Sequence, residues 1–96
     1  MQFRQGDVFI TTIEKIPQGV KKVLNNVILY GESSGHAHRL VGGDVLTKGD
    51  AMFLRVTKKG TIVHDEHKPI SLKKGLYGVT RQREYLSKDM TKVVID

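Results

Sequence analysis

Turn-forming residues interrupt this chain so often that only short extended segments fit between them. Gly6-Asp7, Pro17-Gln18-Gly19, Asn25-Asn26, Gly42-Gly43-Asp44, Lys48-Gly49-Asp50, Lys58-Lys59-Gly60 and Lys73-Lys74-Gly75 recur along its 96 residues. Glycine and asparagine tolerate positive φ, and aspartate and asparagine hydrogen-bond their own backbone, which is what tight turns require. The intervening stretches are β-branched or aromatic: 8–13, 27–30, 45–47, 51–56, 61–64, 70–72, 76–85 and 93–95. Asn25-Asn26 is expected to join 20–24 to 27–30 as a hairpin, and 93–95 to close the sheet against an early strand. No sustained 3.6-residue periodicity appears; the one helix weighed is 87–92, with Ser87 as its cap. About eight short strands with frequent turns predict an all-β fold, a small single-domain barrel or sandwich. Closure into a barrel would hide strand edges that a chain this short cannot otherwise cover.

Composition narrows the chemistry. The absence of cysteine removes disulfides and thiolate metal sites from consideration. No apolar run approaches the ~18 residues a spanning helix needs, and the amino terminus lacks a signal-peptide core. The expectation is a cytoplasmic protein, in a host cytoplasm or a virion if phage-encoded, with no membrane partner. A net charge of +6 and a pI near 9.7 favour an anionic small molecule or nucleic acid as partner. The lysines are dispersed, however, in the doublets Lys21-Lys22, Lys58-Lys59 and Lys73-Lys74. Each doublet lies near an expected turn, where lysine also solubilises loops and blunts strand edges.

The histidines carry the sharpest signal. All four lie between positions 36 and 67, as Gly35-His36-Ala37-His38-Arg39 and His64-Asp65-Glu66-His67. Residues i and i+2 of a strand share a face, so His36 and His38 would project together. Regular alternation would pair His64 with Glu66 and turn His67 away. A bulge or turn near Asp65, made credible by Pro69, would bring His64 and His67 together instead. His36, His38, His64 and His67 are therefore candidate ligands of a divalent transition metal, zinc first, with iron or manganese as alternatives. Three ligands and an open position would permit metal-bound water chemistry; four would make a structural site. Asp65 or Glu66 would orient an imidazole from behind. Against this, isolated histidines are commonly surface residues and a single HxH pair often arises by chance, so the specificity rests on the two pairs together.

Alternation along 76–86 places Tyr77, Val79, Arg81, Arg83 and Tyr85 on one face. Arg81 and Arg83, with Arg39 and Tyr85, would hold a phosphate or carboxylate while a ring stacks on a base or sugar. Glu66 joins these as a candidate substrate-binding residue. The plainer expectation is a solvated face with exposed ion pairs of little individual worth.

Several segments resemble a family of short, mostly uncharacterised proteins of bacteria, phages and plasmid-like elements. They are Arg4-Gln5-Gly6-Asp7-Val8, Gly31-Glu32-x-x-Gly35-His36-Ala37-His38-Arg39, Val63-His64-x-Glu66-His67-x-Pro69-Ile70 and Gly75-x-Tyr77-x-Val79-x-Arg81-Gln82-Arg83-Glu84-Tyr85. The resemblance spans most of the chain and implies a phage or mobile-element setting, but brings no activity with it. Paired histidines in a small barrel are also similar to cupin metal sites, although the cupin glutamate after the first pair is missing. Three functions follow as expectations. The first is a metal-binding barrel, including a metal-dependent hydrolase of a phosphate-bearing substrate. The second is a metal-independent nucleotide- or RNA-directed protein using histidines as acid and base. The third is a virion or assembly component, for which a homo-oligomer would be natural.

Overall fold

Two of the expected turns lie inside one long hairpin. The computed structural model describes residues 2–30 and 37–81. Its strands are β1 (Gln2–Gln5), β2 (Val8–Ile13), β3 (Lys21–Lys22), β4 (Val27–Tyr30), β5 (Ala37–Val41), β6 (Asp44–Lys48), β7 (Ala51–His64) and β8 (His67–Arg81). Strands β7 and β8 pair from Met52↔Val79 to His64↔His67, so 58–60 and 73–75 face each other in mid-ladder. There β7 advances three residues, from Val56 to Lys59, while β8 advances two, from Gly75 to Lys73. The ladder absorbs the difference as a bulge, which bends and twists the ribbon without ending it. A bulge and a turn select the same residues, glycine beside exposed polar side chains, and that is why the sequence suggests turns here.

All pairings are antiparallel and belong to one curled sheet, a half-barrel with the order β1-β2-β8-β7-β5-β4. Strand β7 carries two partners on its second side, β6 along its first half and β5 near its end. The β5–β6 connection crosses at Gly42-Gly43, where a Cβ on Gly43 would stand 2.6 Å from the Arg55 carbonyl oxygen. Only glycine lets the two backbones approach this closely. No helix occurs among the described residues, and the fold class is all-β, as expected.

The concave face holds the core: Val8, Ile10, Ile28, Leu40, Val45, Leu54, Val56, Ile62 and Leu72 are each at most 2% exposed. Each such side chain contributes about 1.5–3 kcal/mol by leaving water. The Asn25-Asn26 hairpin does not form. Lys21–Lys22 pair with Thr47 and Leu46 of β6, while β4 pairs with β5. Asn26 does adopt positive φ (55°), but it redirects the chain across the sheet. Its side-chain amide donates to the carbonyls of Leu40 (3.2 Å) and Gly43 (3.1 Å). Those two bonds hold the crossing loop in place. The expected strand at 93–95 and the helix weighed at 87–92 lie outside the described residues.

Candidate functional site

The site is built at the tip of the β7–β8 hairpin. Asp65-Glu66 form a two-residue turn, which makes His64 and His67 directly opposed partners. Just before the turn β8 holds one residue more than β7, between Ile62↔Ile70 and His64↔His67, in the stretch containing Pro69. Of the two arrangements open to this segment, the structure adopts the turn. Glu66 is exposed, and its backbone N–H donates to His64 Nδ1 at 3.0 Å.

The third ring comes from β5. His38 and Leu40 are buried while Arg39 and Val41 face out, the alternation of a half-buried strand. The ring centroid of His38 lies 4.3 Å from that of His64 and 5.9 Å from that of His67, and His64 and His67 are 4.6 Å apart. His38 and His67 stack at 13° between planes, and the other two pairs tilt at 34° and 43°. Among the described residues no group of three or more His, Asp, Glu or Cys side chains is arranged as a metal site. His36, the fourth candidate, lies outside the described residues, as do Arg83 and Tyr85.

Behind His38 sits Gln5, which sequence reasoning did not single out. It is 3% exposed. Its Nε2 donates to the carbonyls of Ile62 (3.0 Å) and Lys68 (2.8 Å), and its Oε1 lies 2.8 Å from His38 Nδ1. Two carbonyl acceptors fix which end of the amide is nitrogen. The oxygen can then only accept, so His38 Nδ1 must carry its proton, and the lone pair of the neutral ring resides on Nε2. One neutral side chain thus joins β1, β5, β7 and β8 and sets a histidine tautomer. The signal available in sequence was its place beside Gly6-Asp7, in the segment Arg4–Val8 that carries part of the resemblance.

Gly6 shapes the other side. It adopts φ +59°, and a Cβ there would stand 2.8 Å from His67 Nε2. The β1–β2 turn therefore passes directly against the His67 ring, and glycine is required for conformation and clearance together.

The arginines part company. Arg39 is exposed on the face opposite His38. Arg81 is half-buried and points inward, its Nη1 3.5 Å from the Ile28 carbonyl and its Nη2 3.4 Å from that of Asp50. Arg81 also pairs across the sheet with Val8, which pairs with Gln5, whereas Ile28 precedes Leu29, the partner of His38. The rows carrying Gln5, Arg81 and His38 thus follow one another around the same end of the half-barrel. The expected tyrosine and arginine face is not a solvated surface along its described length. Tyr77 is 4% exposed and belongs to the core, with its hydroxyl donating to the Lys73 carbonyl at 2.6 Å. The reason is curvature: β8 is sandwiched between β2 and β7 there, and its inner face closes over apolar residues.

Fold and site together define a small all-β half-barrel with imidazoles gathered at one end. A family model for a domain of unknown function, DUF8820, matches residues 4–82, and the chain belongs to that family. No curated protein and no solved structure matches it. No helix among the described residues is long and apolar enough to cross a membrane.

Proposed function

We propose that the histidine end of the half-barrel binds a divalent transition metal, zinc first, through His38, His64 and His67 with His36 as the fourth ligand. The observation that carries this reading is the Gln5 clamp. A metal-binding imidazole characteristically donates its second ring N–H to a fixed acceptor, which orients the ring and leaves the other nitrogen for the ion. His38 meets that condition with a buried amide whose orientation is itself fixed by two carbonyls. His64 and His67 are more exposed than His38, so their rings have room to turn from stacked faces to converging edges. His64 must surrender the bond from Glu66 N–H to ligate through Nδ1, a cost of about 1 kcal/mol. All four histidines together would make a closed, structural site; with only three of them on the ion and the fourth position left to water, the ion would supply a nucleophile near neutral pH. The reaction class is then hydrolysis of a phosphate-bearing substrate, with Arg81 the inward-facing cation of the site.

Elemental analysis of tag-free protein tests this directly. About one transition metal per chain is expected, with thermal stabilisation on adding zinc to metal-stripped protein. His67→Ala, at an exposed position, is expected to weaken binding without unfolding the chain. Stripped protein whose melting temperature ignores zinc, iron and manganese alike would sink the proposal.

A second reading rests on the tautomers. His64 accepts at Nδ1, so its neutral ring carries the proton on Nε2, whereas His38 carries its lone pair there. One donor and one acceptor side by side suit metal-independent acid–base catalysis. Catalysis that persists in excess chelator is the result that would favour it.

A further inference from the structure

Where β8 bends it also leaves β2. Their last pair is Ile13↔Leu76, and residues 67–75 of β8 pair only with β7 among the described residues. Strand β1 is the outer strand of the same sheet end, and Gln5 rejoins β8 at Lys68. Between these two attachments lies a wedge of about 320 Å³, lined by Phe3, Thr12, Ser71, Lys73, Lys74 and Tyr77. That volume is at the lower end of the ~300–1,000 Å³ typical of ligand pockets. Phe3 supplies a partly buried apolar wall, and Ser71 and Thr12 supply hydroxyls.

The charges around the wedge are unusual. Lys59 and Lys73 are direct cross-strand partners, and like charges in that position destabilise a sheet. Lys58 and Lys74 flank them, and all four are exposed. Among the described residues, no ammonium group of these four has an acid or hydrogen-bond partner. Lys73 and Lys74 both line the wedge, directly across the ladder from the bulged stretch of β7. Edge protection accounts for a lone lysine, but not for two placed directly opposite each other across the ladder. A set of uniform sign beside an aromatic wall calls for a polyanion with flat apolar faces.

We infer that the wedge binds single-stranded nucleic acid, with phosphates on Lys59, Lys73 and Lys74 and one base against Phe3. A duplex presents the same phosphates but keeps its base faces stacked away, so it cannot use the apolar wall. This site is separate from the histidine end and does not depend on a metal there.

Fluorescence anisotropy with a labelled 12-nucleotide single strand, on chelator-treated full-length protein, tests the inference. Binding is expected to weaken about tenfold or more in the double variant K73E/K74E. Its salt slope is expected to fall by ~0.7 for each phosphate that is no longer neutralised. Those glutamates keep charge on the strand edge, so unchanged solubility and melting temperature separate the effect from misfolding. Phe3→Leu preserves the apolar packing on the core and removes the π-face, and a loss of about fivefold or more is expected. Equal binding of duplex and single strand, or wild-type affinity in K73E/K74E, overturns the inference. Because the protein is metal-stripped throughout, neither result bears on the histidine site.

Discussion

The tip and the bend of the β7–β8 hairpin handle polar residues in opposite ways. At the tip, His38 and Gln5 are buried, and Gln5 spends both amide hydrogens and its oxygen on named partners. At the bend, four lysines stand in water with no acid beside them among the described residues. Burial makes each polar interaction at the tip necessary, because an unpaired buried group costs far more than a formed hydrogen bond returns. Exposure makes the bend tolerant. Geometry is specified at the first and only charge density at the second.

The largest expected effect follows from that contrast. Gln5→Leu strips partners from the Ile62 and Lys68 carbonyls and from His38 Nδ1–H in one substitution. At roughly 1–3 kcal/mol for each buried group left unsatisfied, a loss of about 3 kcal/mol or more is expected. Urea unfolding at neutral pH measures it, and no single lysine substitution at the bend should approach that value. A Gln5→Leu protein as stable as the parent would erase the distinction between the two regions.

A smaller effect is expected at Gly6. Gly6→Ala places a Cβ in the left-handed region at about 1–2 kcal/mol, and that Cβ meets His67 Nε2 at 2.8 Å. The exposed ring can swing aside, so the steric part adds little to stability but displaces a proposed ligand. Stability should fall by about 1–2 kcal/mol, while zinc affinity falls several-fold. Loss of stability at unchanged zinc affinity would show that His67 is not a ligand.

These two positions also mark the limit of what the sequence disclosed. The all-β class and most strand cores followed from turn residues and β-branched runs, both of which are local signals. The His64/His67 pairing followed in part, because Pro69 advertised an irregularity. Gln5 stayed hidden, since a buried amide is recognised by its partners, and these lie 33 to 63 positions away in the chain. The bend was misread for a related reason. Lys58-Lys59-Gly60 and Lys73-Lys74-Gly75 each read as a turn alone, and only their pairing across the ladder reveals a bulge. Tyr77 misled because alternation predicts which residues share a face but not which face the sheet curls over.

Asp44 sharpens the contrast from a third place, where the fold does give its cations an acid. Arg55 Nη2 lies 3.0 Å from Asp44 Oδ2 and Lys22 Nζ 3.1 Å from Oδ1. The Arg55 hydrogen bond, and then that from Lys22, hold the Asp44 carboxyl below its ordinary value, against a smaller opposing effect of desolvation. A group whose folded pKa is depressed stabilises the fold above its unfolded pKa, here about 3.9, and that stabilisation disappears as pH falls through the lowered folded value. Both cations are substantially exposed, so the contribution is at most about 1 kcal/mol. Asp44→Asn should therefore lower stability slightly at pH 6 and by progressively less as the pH falls toward 2, as urea midpoints along that range will register. The lysines of the bend have no such carboxylate among the described residues. A wild-type minus Asp44→Asn difference that stayed constant from pH 6 to pH 2 would mean that the carboxylate's charge contributes nothing, and that even the cations given an acid behave like those at the bend.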